Sequence, residues 1–131
     1  MSDDARALDA PATESPHLRY RSGLAEGVLL YQRCHECGDA VFPPRLVCPH
    51  CGTTELDPAQ SSGSGTVYST TTVSQRDAES YAVSLIDLDD GFRMMSTVVG
   101  IPAEEVRIGQ RVVFVAEQGE APRATFRPAE D

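Results

Sequence analysis

The stretch Cys34–Gly52, CHECGDAVFPPRLVCPHCG, contains every cysteine of this 131-residue chain. The cysteines form two C-x2-C pairs separated by ten residues, and a glycine, Gly38 or Gly52, follows each pair. Four thiolates at such a spacing can complete a tetrahedral shell around Zn2+ without leaving a position for a substrate, which is the arrangement of a structural site. A glycine after each pair suits a tight turn with positive φ that directs backbone N–H groups toward the sulfurs. We therefore predict a zinc ribbon over residues 34–60, with one structural zinc ion per chain. Its predicted ligands are Cys34, Cys37, Cys48 and Cys51.

Other uses of the four cysteines are a disulfide, a redox couple or an iron site. The N-terminus lacks the basic and apolar regions of a secretory signal, so the cytoplasm is the expected compartment, where thiols stay reduced. A redox C-x2-C pair usually begins a helix within a βαβ unit, and no such pattern is visible. Iron in a rubredoxin-like four-sulfur site stays open, because sulfur ligation alone does not separate it from zinc. His35 and His50 lie inside the pairs, and we expect both to be solvent-exposed beside a complete sulfur shell.

Residues 61–131 have the pattern of a small β-barrel. From Gly65 onward the chain is rich in Val, Thr and Tyr, which suit pleated surfaces. Five short strands over about 65 residues, separated by glycine-containing turns, favour a barrel of the OB type. The predicted strands are GTVYSTTTVSQR, YAVSLIDLDD, FRMMSTVVG, RVVFVAEQ and RATFRP.

Two local details of the barrel follow from the same pattern. Simple alternation places one set of residues on one face of the first strand and the intervening residues on the other. The sequence Asp90-Gly91 predicts a tight primed hairpin turn in which both residues have positive φ. The set predicted to share a face is Val67, Ser69, Thr71 and Val73.

The segments on either side of the cysteine pairs are predicted to form a tail, a helix, a strand and a connector. Residues 1–16 are polar, acidic and rich in Ala and Pro, which predicts a disordered tail. Residues 17–33 predict a short helix, His17–Glu26, and a lead-in strand, Val28–Arg33. Residues 53–65, with Pro58 and a Ser/Gly run, predict a connector. The predicted fold is mostly β, with a short N-terminal helix, a rubredoxin-like zinc ribbon and a C-terminal OB barrel.

The charge limits the classes of partner. Twenty acidic residues exceed eleven basic ones, giving a formal net charge of −9. Nucleic-acid affinity comes largely from neutralising phosphates with a basic surface, so this balance disfavours a nucleic-acid partner. A single-strand-binding ribbon/OB protein is nevertheless the alternative function, since such folds stack bases on aromatic residues. No apolar stretch approaches the roughly 20 residues that cross a membrane.

The loop Ala40–Val47 is the candidate contact surface. Its residues are expected to project at the tip of the ribbon, where an aromatic ring and an arginine are favoured interface anchors. The alternative is that Phe42 packs against the barrel and the prolines only shape the hairpin. The candidate contacts for a partner or for coenzyme A are Phe42, Pro43, Pro44 and Arg45.

The remaining polar residues have less specific patterns. Asp87–Gly91 contains three carboxylates, but a solvated hairpin end is favoured over a cation site. Five barrel arginines suit CoA phosphates only if they converge, and scattered salt bridges are favoured. Met94-Met95 alternates across a strand, so one side chain is expected in the core and the other on the surface. The five barrel arginines are Arg93, Arg107, Arg111, Arg123 and Arg127.

No nucleophile–base set is present in the sequence, so we do not expect the chain to be an enzyme.

The ordered combination of these segments resembles a known family. LYQRCHECGDAVFPPRLVCPHCG, GSGTVYSTTTV, YAVSLIDLDDGFRMMSTVVG and EVRIGQRVVFV together resemble the zinc-ribbon-plus-OB-fold proteins of the DUF35 family, over residues 17–128. A zinc ribbon alone is a weak signal. The succession of a cysteine pair, an FPPR loop, a second pair, SGxGTVYS and a hairpin ending in glycine is far more specific.

The resemblance implies a role beside acyl-CoA enzymes. Members of the family commonly accompany thiolase-fold proteins: thiolases, lipid-transfer-protein-like aldolases, and acyltransferases of polyketide type. They act as non-catalytic subunits that bridge enzymes and, in some systems, help to shape the acyl-CoA site. A fused form stands beside hotdog-fold hydratases for steroid side-chain CoA esters, and this chain is expected to be the stand-alone form. The implied setting is lipid, steroid or polyketide-type acyl-CoA metabolism.

Overall fold

The computed structural model describes residues 15–129, so most of the predicted tail, residues 1–14, lies outside the described residues. The described part of the chain begins with helix α1, Pro16–Ala25. The Ser15 hydroxyl caps the helix by accepting a hydrogen bond from the Leu18 N–H (3.1 Å), and Pro16 occupies the first turn, where its missing N–H costs nothing. The predicted helix is therefore confirmed, with bounds one residue earlier. Within residues 15–129, no helix combines the length and hydropathy that crossing a membrane requires.

Three antiparallel strands form the sheet of the ribbon. They are β1 (Leu30–Cys34), β2 (Ala40–Val41) and β3 (Leu56–Gln60), in the order β2-β1-β3. The lead-in strand is confirmed, although it begins two residues later than predicted. The connector prediction is wrong for β3, which pairs with β1 along its whole length. Pro58 is tolerated there because β3 is an edge strand of this sheet.

Five antiparallel strands form the barrel, in the order β6-β5-β4-β7-β8. A parallel bridge between Val98 and Phe126 joins the two ends of this sheet, because the Phe126 N–H donates to the Thr97 carbonyl (3.0 Å) and the Val99 N–H donates to the Phe126 carbonyl (2.7 Å). The bridge converts the five strands into an OB-fold barrel and confirms the predicted class. The strands are β4 (Ser64–Val73), β5 (Tyr81–Leu88), β6 (Arg93–Ser96), β7 (Arg111–Glu117) and β8 (Arg123–Pro128).

A β-bulge in β4 overturns the predicted alternation. Val67 pairs with Ile86 and Ser69 pairs with Leu85, so Tyr68 is an extra residue between two consecutive pairs. One extra residue exchanges the two faces of the strand beyond it. The prediction that Val67 shares a face with Ser69, Thr71 and Val73 is therefore wrong. Thr70 instead follows Val67 on the inner face, where its hydroxyl lies 2.9 Å from that of buried Ser84.

The turn between β5 and β6 also differs from the prediction. Gly91 has φ 109°, but no residue other than glycine has a positive φ among residues 15–129, so Asp90 does not adopt the primed conformation. The Leu88 N–H donates to the Phe92 carbonyl (2.8 Å) and the Gly91 N–H donates to the Leu88 carbonyl (3.0 Å). The turn is thus a three-residue loop that ends in a glycine of positive φ.

One core joins the helix, the ribbon and the barrel. Phe42 stacks on Phe92 of the barrel with ring centroids 4.9 Å apart, and Tyr31 of β1 lies at the same distance from Phe92. Tyr20 of α1 meets the edge of Phe42 at 5.6 Å. These rings continue into the buried barrel residues, of which Ile86 and Phe126 have no exposed surface. The ribbon is therefore held to the barrel by direct aromatic packing.

A close backbone approach at Gly65 supplies a test of the barrel. A Cβ added to Gly65 meets the Asp87 carbonyl oxygen at 2.8 Å and the Ile86 Cγ2 at 2.9 Å. We expect Gly65→Ala to lower the free energy of unfolding by about 1–3 kcal/mol, because the backbone must shift to admit the methyl group. Urea denaturation measures the change. Gly119→Ala is the matched control, since its Cβ meets no atom within 4 Å. Equal stabilities of the two variants would contradict the packing described for β4 and β5.

Candidate functional site

The four cysteine sulfurs converge at one point between the two turns of the ribbon. All four lie within 4.8 Å of one another. The Cys34 and Cys51 sulfurs are 3.5 Å apart, and those of Cys37 and Cys48 are 3.9 Å apart. A tetrahedral shell with Zn–S bonds of about 2.3 Å places its sulfurs about 3.8 Å apart. A disulfide needs about 2.05 Å, so the arrangement is that of a metal cage.

The two turns that carry the sulfurs repeat the same geometry. In the first, the Gly38 N–H donates to the Cys34 carbonyl, and in the second, the Gly52 N–H donates to the Cys48 carbonyl, both at 2.9 Å. Gly38 has φ 78° and Gly52 has φ 81°, a region that residues with a Cβ rarely adopt. The predicted pair of glycine-terminated turns is thereby confirmed.

Backbone N–H groups point at the buried sulfur of each turn. The Cys37 N–H donates to the Cys34 sulfur and the His50 N–H donates to the Cys48 sulfur, both at 3.4 Å. The hydrogen bond from the Cys37 N–H is the largest of the effects that lower the pKa of Cys34 to about 7. The Cys37 N–H thus favours the thiolate of Cys34, which is the form that binds a metal.

The exposed Cys37 and Cys51 sulfurs have raised pKa values, so they depend on a nearby cation to become anionic. The Asp39 N–H favours the thiolate of Cys37, but the side-chain hydrogen bond with Cys34, burial and the other nearby sulfurs outweigh it and raise the pKa of Cys37 to about 12. Several thiolates so close together are unfavourable unless a positive charge lies among them. The ribbon therefore has four cysteines positioned to bind one metal ion, which organises the fold and leaves no ligand position for a substrate.

The two histidines of the ribbon lie outside this cage. Both side chains are exposed, as predicted. The His35 Nδ1 lies 3.5 Å from the Asp57 carboxylate, on the surface. Among residues 15–129, the only group of His, Cys, Asp and Glu side chains placed to share a metal ion consists of the four cysteines.

The candidate contact loop divides into a buried and an exposed part. Phe42 does not project at the tip, because it packs between Tyr20 and Phe92. Pro44 is half-buried beside Tyr20, whereas Pro43 and Arg45 are exposed. Whether these four residues contact a partner or coenzyme A stays a prediction.

The backbone of Arg45 is held rigidly. Its N–H donates to the Gln32 side-chain carbonyl (2.7 Å), and its own carbonyl accepts from the Gln32 amide (2.8 Å). Gln32 lies on β1, so the loop is tied to the centre of the ribbon sheet. The exposed guanidinium thus projects from a fixed backbone.

The three carboxylates of the β5–β6 hairpin have separate protein partners. Asp87 accepts from Arg93, Asp89 accepts from Arg111, and Asp90 accepts from the Ser61 hydroxyl. The Arg111 guanidinium holds the pKa of Asp89 below its usual value through hydrogen bonds. The carboxylates point to different partners, an arrangement typical of a solvated hairpin end.

The barrel arginines are engaged mainly in salt bridges within the chain. Three of the five form salt bridges with carboxylates on neighbouring strands or turns, as predicted: Arg93 with Asp87, Arg111 with Asp89, and Arg123 with Glu117.

The two adjacent methionines lie on opposite faces of β6. Met94 is buried and Met95 is 70% exposed, which confirms the prediction that one lies in the core and the other on the surface.

The hydrogen bonds of Arg33 were not predicted from the sequence. Arg33 donates to the Gly38 carbonyl in the first cysteine turn (3.0 Å) and to the Asp90 carbonyl in the barrel hairpin (3.0 Å). It also donates to the Tyr31 hydroxyl (2.8 Å). Arg33 therefore connects the metal centre to the barrel. No sequence pattern could indicate this contact, because Asp90 is 57 residues away and is bound through its backbone.

Two family models match adjoining parts of the chain. The model of the rubredoxin-like zinc ribbon domain of ChsH2 matches residues 21–57, and the model of the C-terminal OB-fold domain of ChsH2 matches residues 59–117. The two matches correspond to the ribbon and the barrel.

Curated relatives carry two kinds of name. A DUF35 domain-containing scaffold protein of Methanothermobacter thermautotrophicus is 34% identical over 98 residues, which are 67% of this chain and 74% of that protein. A probable enoyl-CoA hydratase alpha subunit of Thermomonospora curvata is 34% identical over 107 residues, which are 77% of this chain. The match spans only 34% of the Thermomonospora protein.

Solved structures share the fold over nearly the whole chain. The structure described as an Ltp2-ChsH2(DUF35) aldolase matches with a TM-score of 0.78 and 30% identity, covering 92% of this chain and 99% of that one. A DUF35 protein of Sulfolobus solfataricus matches with a TM-score of 0.69, covering 97% and 93% of the two chains. The Sulfolobus protein is only 16% identical, so its similarity concerns the fold alone.

The metal centre can be tested by its composition and ligands. We expect one zinc ion per chain by elemental analysis, and we expect Cys48→Ser to lose the metal and the folded ribbon, because a buried ligand is removed. His35→Ala and His50→Ala are the matched controls and should retain the zinc. Iron in place of zinc, or loss of the metal from either histidine variant, would contradict this assignment.

Proposed function

The chain belongs to the DUF35 family of zinc-ribbon and OB-fold proteins, and on that basis we propose that it is a non-catalytic accessory subunit of an acyl-CoA enzyme. In this role it binds a thiolase-fold partner, which is a thiolase, an aldolase or an acyltransferase, and helps to form or cover the acyl-CoA site of that partner. The observation that carries the proposal is the match of nearly the whole chain to the ChsH2(DUF35) component of an aldolase.

The architecture supports a scaffolding role. The ribbon and the barrel share one aromatic core, and Arg33 adds hydrogen bonds between them, so the chain can present one surface with little loss of conformational freedom. The metal cage is closed by four sulfurs, a geometry typical of structural sites. These features suit a subunit that positions another protein.

We also propose a metabolic setting, a cellular compartment and a contact loop for the chain. The Thermomonospora relative is named as a subunit of an enoyl-CoA hydratase, which favours acyl-CoA chemistry in lipid, steroid or polyketide-type metabolism. We place the complex in the cytoplasm, where the four thiols remain available for the metal. Within the chain, we assign partner or CoA contact to the loop of Phe42, Pro43, Pro44 and Arg45. Phe42 holds this loop against the core, and Arg45 has a fixed backbone and an exposed guanidinium.

Co-expression with candidate partners tests the proposal. The chain is expressed in turn with each thiolase-fold protein encoded in its own genome, and the mixtures are separated by size-exclusion chromatography. We expect one such protein to co-elute with the chain and to change its acyl-CoA turnover when the complex forms, whereas the isolated chain has no turnover. Separate elution from every thiolase-fold protein, or turnover by the isolated chain, would refute the proposed role.

A further inference from the structure

A groove lies on the surface of the barrel beside β6. It has a volume of about 710 Å³ and lies between the outer face of β5 and β6 on one side and the segment 97–101 with the start of β8 on the other. A second depression of about 550 Å³ continues it past the 3-10 turn Ala103–Glu105. The floor and walls of the groove contain apolar side chains from four parts of the barrel. These are Tyr81, Val83, Met95, Val99, Ile101 and Ala124.

Two of the apolar side chains in the groove are exposed to solvent. Met95 is 70% exposed and Tyr81 is 45% exposed, although both lie on strands of the barrel. The pairing of Met95 with Leu85 places Met95 on the outer face of the sheet, opposite to buried Met94 and Ile86. Methionine adapts its shape to a neighbouring surface, and exposed apolar patches of this kind mark interaction sites.

The charged residues that line the groove differ in whether they have a salt-bridge partner. Arg123 lies at one side, but its charge is matched by the salt bridge to Glu117. Glu79 and Glu104 line the other end, both are exposed, and neither forms a salt bridge with any residue from Ser15 to Ala129. The groove therefore combines exposed apolar side chains with two carboxylates that have no salt-bridge partner among residues 15–129.

We propose that this groove docks a segment of the thiolase-fold partner in which exposed apolar side chains are followed by an arginine or lysine. The apolar side chains would cover Met95 and Tyr81, and the cation would lie between the carboxylates of Glu79 and Glu104. The inference rests on the proposed function and adds to it a second contact surface for the partner, separate from the loop of Phe42, Pro43, Pro44 and Arg45.

The charge pattern favours this occupant over two others. An acyl-CoA carries several phosphate charges, which two free carboxylates repel. A second copy of the chain brings a net charge of −9, and three of its barrel arginines are already paired with its own carboxylates. A basic segment of another protein meets both requirements, burial of apolar surface and neutralisation of the carboxylates.

Two exposed apolar residues provide a matched pair of variants. Met95 and Ile108 are each 70% exposed, and only Met95 lines the groove. The probe is the thiolase-fold protein that co-elutes with the wild-type chain, and the dissociation constant is measured by isothermal titration calorimetry. We expect Met95→Glu to raise the dissociation constant at least about tenfold, as for a central interface anchor, and Ile108→Glu to leave it unchanged.

The charge component is tested by Glu79→Gln combined with Glu104→Gln. This double variant should raise the dissociation constant about threefold to tenfold and reduce its dependence on salt, because the attraction to the basic side chain is lost. Glu36→Gln combined with Glu55→Gln removes two exposed carboxylates of the ribbon and serves as the control.

Photo-crosslinking identifies the occupant directly. With p-benzoylphenylalanine at position 95, we expect a product containing one chain and one partner, and no such product with the same group at position 108. A product of two chains, or equal binding by the Met95→Glu and Ile108→Glu variants, would overturn the groove assignment while leaving the accessory function intact. Failure of every thiolase-fold protein to bind the wild-type chain would instead overturn both proposals.

Discussion

The convergence of four sulfurs is the constraint on which the ribbon depends. The buried cluster inside the ribbon consists of Cys34, Val41 and Cys48, with Leu56 packed beside it. So few apolar side chains cannot stabilise a segment of this size, since small folds generally need a metal, a disulfide or another link. The metal ligands are thus also the core, and the same residues determine both binding and folding.

Contacts between the ribbon and the barrel fix the position of one relative to the other. Phe42 follows directly after β2 and reaches Phe92, which follows the β5–β6 turn. Arg33 binds carbonyl groups on both sides of the junction. The relative position of the two parts is therefore set by packing and by directional hydrogen bonds at once, which is the property required of a subunit that holds another protein in a defined orientation.

The charged surface divides into paired and unpaired regions. The carboxylates of the β5–β6 hairpin form salt bridges with arginines or accept hydrogen bonds from the serines that precede β4. Each carboxylate at this end of the barrel therefore has a partner within the chain. At the groove beside β6, by contrast, exposed apolar side chains adjoin carboxylates without a salt bridge among the described residues. A partner that covers these apolar side chains and pairs with these carboxylates gains both apolar burial and charge neutralisation.

The sequence by itself determined the features that depend on neighbouring residues. The spacing of the cysteines, the glycines after each pair, helix α1 and the barrel strands were all predictable, because spacing and local conformation depend on residues close together in the chain. Only the tertiary structure decided that Pro58 lies in a strand, that Tyr68 is a bulge and that Phe42 turns inward. These depend on pairing with β1, on register with β5 and on the ring of Phe92, partners that are distant in the chain. Contacts of this kind are selected by the packing of the whole molecule, and no local pattern encodes them.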